Sequence, residues 1–531
     1  MLSGKSPAPL TPSIPLSQGE RGKSEGVQRR PLQGAPWMGR GGPAGNKAGR
    51  PLGTAPTRGT PPDAFGHPLG CHWVAPGVNP GSRFALGSKG RGWTWARGLL
   101  LLFALCTASA HAEPLVIVGG TVHTLGPQGT VENATVVIEG GKIVSVSTGA
   151  PPPGARVIDA TGKVVTPGLF DSLSQLGLVE VGMEAATNDQ STDDPRYTAA
   201  FAVADALNPY SILIPVNRIE GLTRALVGPR GKKSPIAGQG AVIDLSGDLP
   251  GRSRSFLTRT PAALFVTLGE AGAGRAGGSR ASALTYLREA FEDARDFEDN
   301  TSEYRNNQRR AYALSRPDLE ALEPFLKGDL PVAIEVHRAS DILHVLRFAD
   351  QWKLRLVILG GAEAWRVADA LAAAQVPVVL NPLANLPASF EQLGATLENA
   401  ARLHAAGVTV IFGTGDSHNG RNLKQAAGNA VAYGLPWEEG LKAMTVHPAR
   451  VWGVAERYGT LEPGKDADVV VWDGDPLEVT TYADVVLIRG AEIPMKSRQT
   501  LLRERYRDVG DTAPVGTSPT GTWPPAYSKP N

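Results

Sequence analysis

From residue 115 onward the chain alternates between two hydrophobic rhythms. LVIVGGTVHTL, ATVVIEGGKIVSVS and ARVIDATGKVVTPG are short β-branched runs broken at Gly-Gly and Gly-Lys, which predicts hairpins. GTLEPGKDADVVVWDGDP (459–476) and DVVLIRGAEI (484–493) have the same character, so β segments from the two chain ends are expected to complete one small β domain. Between them lie the apolar runs ALFVTLGE, PVAIEVH, LRLVILGG, VPVVLNP and VTVIFGTGD, each separated from the next by a helical pattern. Strands alternating with helices predict a parallel α/β sheet or barrel. One helix is explicit: Leu284, Leu287, Phe291, Ala294 and Phe297 recur at three- to four-residue spacing with charges between them.

The run VVTPGLFDSLSQLGL (164–178) pauses at Pro167-Gly168 and resumes toward Asp171, the pattern of a buried strand delivering an acidic residue to a surface. A metal-dependent hydrolase with this lead-in would continue Asp-x-His-x-His. Here the two ligand positions are Leu173 and Gln175.

The first ~90 residues have neither rhythm and are dense in Gly, Pro, Arg and Ser, which predicts disorder. Arg91 and Arg97 then precede the apolar run Leu99 to Leu105 and a small-residue exit, Ala110-His111-Ala112. That is a secretory signal pattern, and the run falls far short of the ~20 residues needed to span a bilayer. Cleavage after Ala112 and a translation start downstream of Met1 are expected. The expected organisation is a disordered extension at 1–90, a signal peptide at 91–112, β-sandwich parts at 113–166 and 456–500, a barrel at 167–455 and a tail at 501–531.

Setting aside the segment before residue 113 changes the charge from +2 to near −8, with 40 basic and 48 acidic side chains left. No basic surface for nucleic acid is implied. Both cysteines, Cys71 and Cys106, lie in that segment, so the exported chain has no disulfide and no thiol nucleophile, as suits an oxidising periplasm.

The β preface, VVTPGLFD, FGTGDS, TVHPARVWGV and GTLEPGKDADVVVWDGDP together resemble the amidohydrolase superfamily, in particular its secreted imidazolonepropionase-like members. The resemblance implies an α/β fold: a (β/α)8 TIM-like barrel with a small composite β-sandwich formed from both ends of the mature chain. It also implies chemistry at the C-terminal ends of the barrel strands. Such enzymes hold one or two divalent metals with His-x-His on the first strand, a Lys or Glu on a middle strand, a His on each of the fifth and sixth, and an Asp on the eighth that doubles as general base.

Against that pattern His337 ends PVAIEVH, Gly360 replaces the sixth-strand His, and Asp416 ends the eighth strand. Glu270 ends AALFVTLGE. His337, Asp416 and Glu270 are the candidate metal ligands, with Asp416 the candidate base. For each a structural alternative stands: a satisfied strand-end His, an N-capping Asp, a solvent-facing loop Glu. Arg218, Gln175 and His418 are candidate substrate contacts, Arg218 as a carboxylate grip or an ordinary salt bridge, His418 as a replacement ligand or a solvated loop residue. Gly238 and Gly240 are expected to serve tight turns. The cofactor expected is one divalent cation, zinc by preference, or none. A small-molecule ligand is the expected partner, together with a second copy or a related amidohydrolase subunit. Two readings follow: an exported hydrolase of C–N bonds other than peptide bonds, or a catalytically silent barrel that binds a small ligand or an active partner.

Overall fold

A computed structural model describes residues 113–507 apart from Arg254. The expected extension, the signal sequence, both cysteines and the tail beyond residue 507 lie outside the described residues. Among those described, no helix is long and apolar enough to cross a membrane.

Two eight-stranded sheets organise the chain. The first takes β1 (Leu115–His123), β2 (Thr130–Glu139), β3 (Lys142–Ser147), β4 (Arg156–Asp159) and β5 (Val164–Pro167) from the start of the described chain. The second takes β6 (Leu169–Ser174), β7 (Leu222–Val227), β8 (Ile236–Asp244), β9 (Leu257–Thr267), β10 (Pro331–Val336), β11 (Arg355–Gly360), β12 (Val378–Leu380) and β13 (Val410–Phe412), in that order around the sheet. The chain then returns to the first sheet with β14 (Val469–Trp472), β15 (Ala483–Ile488) and β16 (Ala491–Glu492). β14 pairs antiparallel with β5, so strands from both ends of the sequence share one sheet, as the two β-rich segments foreshadow.

The second sheet curls until its edges meet. Ser174 bridges Asp416 in parallel, and the Gly415 N–H donates to Leu173 O at 2.7 Å. The result is a nearly closed, TIM-like barrel, with one departure from strict (β/α)8 order: β8 runs antiparallel to both neighbours. The reason is connection length. Only residues 228–235 join β7 to β8, whereas a parallel return needs a crossover of a dozen or more residues. Gly240 therefore serves this strand and not a turn; a Cβ there would lie 2.4 Å from the Phe265 ring, so glycine lets that ring occupy the barrel interior.

Side-chain alternation divides the core. On β10, Val332, Ile334 and Val336 pack outward with the helices, while Ala333 joins Phe170, Leu226, Phe265, Leu359, Val379 and Ile411 inside the barrel. The helix read from the sequence spans Arg280–Asp299; Ser279 caps it, and Leu287, Ala290, Phe291, Ala294 and Phe297 form its buried stripe. A further helix, Arg498–Tyr506, opened by a Ser497–Thr500 capping box, occupies the start of the segment expected as a tail.

The barrel's N-terminal end is closed by a buried ionic cluster. Arg224 points inward from β7 and is 1% exposed. Its Nε and Nη2 donate to Asp468 at 2.6 and 2.9 Å, its Nη1 lies 3.1 Å from Asp244, and its guanidinium sits 3.8 Å from the Tyr458 ring centre. Arg489 reaches Asp244 at 2.5 Å from the other sheet. Burial alone would depress the Arg224 guanidinium, but Asp468, Tyr458 and Asp244 hold it above its ordinary value, so it stays charged. Arg224→Ala would leave two buried carboxylates short of a partner, and we expect it to cost about 3–5 kcal/mol. Urea unfolding followed by circular dichroism checks this, with Arg316→Ala, at an exposed pair with Glu320, expected to leave the midpoint unchanged.

Candidate active site

Seven strands run parallel, so the ends of β6, β7, β9, β10, β11, β12 and β13 share one mouth, which the start of β8 joins. Alternation along β10 turns Glu335 and His337 inward beside each other. They border a cavity of about 210 Å³ with Leu173, Leu359, Asn381 and Thr414, and Arg230 closes one side. His337 Nε2 lies 3.3 Å from Gln392 Nε2, while its Nδ1 is buried without a hydrogen-bond partner. Glu335 accepts from Thr267 Oγ1 at 3.2 Å. A carboxylate and an imidazole on one strand face can bind a polar ligand and relay a proton.

His337 is thus placed where the sequence suggests, facing the cavity. Gly360 lies against it: φ is +85°, and a Cβ would fall 2.4 Å from His337 Cε1. A histidine at 360 would meet that ring. Asp416 reaches the mouth but does not line the cavities that His337, Glu270 and Gln175 border. Its Oδ1 accepts from the His418 and Asn419 N–H groups (2.7 and 3.3 Å) and its Oδ2 from Asn419 Nδ2 (3.1 Å), the turn-capping alternative. Burial would raise its carboxyl, yet these bonds hold it below the ordinary value, which makes it a poorer base.

Glu270 opens the short helix Gly269–Arg275. It borders a side cavity of about 300 Å³ together with His337, but its carboxylate is 43% exposed and lies 4.0 Å from Arg280. His418 faces Gln499 of the C-terminal helix, Nε2 to Nε2 3.3 Å, and borders none of these cavities. Arg218 requires correction as a substrate contact. It precedes β7, hence sits at the closed end of the barrel, buried and paired with Asp248 and with Leu245 O (3.2 Å). Its charge is spent on structure.

Gln175 is buried beside β6 and borders a cavity of about 280 Å³. With its amide oriented by its neighbours, the oxygen accepts from Arg230 Nε and Nη2 (3.1 Å) and the nitrogen donates to Gln190 (3.1 Å). Arg230 Nη2 also donates to Gly415 O at 2.6 Å.

A divalent metal does not fit the donors present. Among the described residues, no three His, Cys, Asp or Glu side chains come together to hold one. Leu173 offers no lone pair, a neutral Gln175 amide already bound to arginine is a poor ligand, and Asp416 is engaged by its own turn.

Asp171, expected at a surface, is fully buried. Its Oδ1 accepts from the Leu173 and Thr414 N–H groups (3.1 and 3.0 Å) and its Oδ2 from Thr414 Oγ1 (2.6 Å), tying β6 to the end of β13. Burial pushes its carboxyl up to about 7, against those hydrogen bonds. The folded chain therefore keeps a proton that the unfolded chain has released between about pH 4 and 7, and stability should fall as pH rises through that window and level off above it. The loss should be on the order of 4 kcal/mol. Urea unfolding at about pH 5 and about pH 7.5 checks this and should show roughly 2–3 kcal/mol of that loss, with Asp171→Asn expected to flatten the dependence.

Comparison with known proteins agrees with the barrel. The amidohydrolase family model matches residues 292–496. The amidohydrolase tasK of Hapsidospora irregularis is 26% identical over 394 residues, covering 67% of this chain but only 39% of its own length. A 5-methylthioadenosine/S-adenosylhomocysteine deaminase of Symbiobacterium thermophilum is 26% identical over 448 residues, 75% of this chain and 94% of that one. Among solved structures, an amidohydrolase from Thermotoga maritima superposes with a TM-score of 0.64 at 28% identity, over 72% of this chain and all of that one. Barrel, mouth and these likenesses have one common explanation: the chain belongs to the amidohydrolase superfamily.

Proposed function

We propose that this chain is an exported hydrolase acting on a C–N bond, other than a peptide bond, of a small molecule held at the barrel's C-terminal mouth. The observation that carries this is the pairing of Glu335 and His337 on one strand face, turned into a cavity at the end where barrels of this kind keep their chemistry. Superfamily membership supports the reaction class, and a deaminase and a dihydroorotase stand among the relatives. Glu335 is the group suited to take a proton from an attacking water, and His337, with a free ring nitrogen, to orient the scissile group or protonate the departing nitrogen. The leader pattern Arg91, Arg97, Leu99 to Leu105 and Ala110-His111-Ala112 supports export. The sheet shared by both chain ends corresponds, in this reading, to the superfamily's composite β domain.

A second reading, a silent barrel that binds a ligand or partners an active subunit, is favoured by the lack of a metal-holding group among the described residues. The two separate on turnover. The purified full chain, offered a panel of amides, lactams and imides, should hydrolyse at least one. Glu335→Gln and His337→Ala should each lower kcat/KM on the order of 100- to 10,000-fold. No turnover across the panel, with or without added zinc, would move the conclusion to the silent barrel. In either case elemental analysis should find well under one equivalent of zinc, and EDTA should leave the unfolding midpoint unchanged; a midpoint that drops on chelation would show a metal site built otherwise.

A further inference from the structure

Two arginines face the cavity beside Gln175, and neither has a carboxylate within 4.0 Å among the described residues. Arg230 arrives on the short loop between β7 and β8. Its Nε and Nη2 edge is held by Gln175 and Gly415 O, both neutral. Arg275 ends the helix Gly269–Arg275, and its Nη1 is buried with no hydrogen-bond partner. Burial, reinforced by the Arg230 charge and opposed by Glu335, holds the Arg275 guanidinium below its ordinary value. Arg230 is exposed and bonded only to neutral groups, and Arg275 is half-buried with its Nη1 enclosed, so both keep a charge that no carboxylate within 4.0 Å among the described residues neutralises.

The other walls of the 280 Å³ cavity include Phe265, Thr267 and Glu335. Two cations against one carboxylate leave the cavity with a single net positive charge. The planar fork of arginine matches a carboxylate in particular. Glu335 borders this cavity and the one holding His337, so a molecule anchored here extends toward both.

We propose that the cavity between Arg230 and Arg275 binds the carboxylate of a small-molecule ligand and directs the rest of that ligand toward Glu335 and His337. This names a substrate class for the function proposed above, but the anchoring itself does not require turnover. Arg230 lies against Leu173, Gln175 and Gly415, where strands β6 and β13 meet, so the mouth keeps a fixed positive charge there.

Isothermal titration of the full chain with N-acetylglycine, its neutral carboxamide and inorganic phosphate tests the assignment. The acid should bind at least about tenfold more tightly than the amide, which lacks the anion but keeps the shape. Arg230→Gln and Arg275→Gln should each weaken the acid about tenfold while leaving the amide unchanged, Arg275→Lys should retain part of the affinity, and Arg316→Gln should match the parent chain. Circular dichroism and the urea midpoint confirm that each variant is folded, and the acid–amide comparison needs no variant. Equal binding of acid and amide, binding of neither, or phosphate preferred over the acid would overturn the proposal. Acid binding without hydrolysis of any substrate would uphold this anchoring and overturn the hydrolase reading alone.

Discussion

The molecule depends on keeping one arginine charged in a place without water. Arg224 brings together β7, the end of β8 through Asp244, the residue before β14 through Asp468, and Tyr458. Asp468 also accepts from the Arg489 N–H at 2.8 Å, so the residue following β15 is held by the same carboxylate. Removing any member strands the opposite charge, which costs more than the pair itself contributes. The closed end of the barrel and the sheet made from both chain ends are thereby fixed together, and adaptable loops are left to the opposite end.

The reversal of β8 ties the departure in topology to the departure in site chemistry. A parallel strand in that position would come after a helix, and the connection would leave the mouth along the outside of the barrel. A reversed strand needs only the turn at residues 228–235, which stays at the mouth and delivers Arg230 beside Leu173 and Gln175. The connection that breaks strict β/α order is the one that supplies a cation.

Much of this was legible in the sequence where a residue's role follows from its immediate neighbours. The period-two run PVAIEVH places His337 inward, and the same period places Glu335 beside it, a signal that the sequence carries but a pattern of histidines does not. The helix Arg280–Asp299 and the pairing of the two β-rich ends follow from pattern alone. Arg230 was not legible. It sits in a Gly/Pro-rich loop near Lys232, which pairs with exposed Asp193 as an ordinary surface charge, and only the strand reversal distinguishes the two. Arg218 misled for a related reason: a cation just before a strand reads alike at either end of a barrel, and strand direction decides which end it occupies.

The positions where the resemblance would put metal-binding histidines hold other residues here, and each has its own volume and polarity to satisfy. At residue 360 the volume passes to the His337 ring, which now fills the space a side chain would need. At 173 a leucine packs against the interior cluster that begins with Phe170 and removes any demand for hydrogen bonds. At 175 the amide remains polar and is satisfied by Arg230 and Gln190. Charge is a separate requirement, since Glu335 and Asp416 alone would make the mouth net negative and repel an anionic ligand. Arg230 and Arg275 offset those two charges with groups that stay protonated at any physiological pH. A guanidinium cannot polarise a water as a metal does, but it can fix the position of a carboxylate, so under the proposed function the chemistry would rest on placement of the ligand against Glu335 and His337.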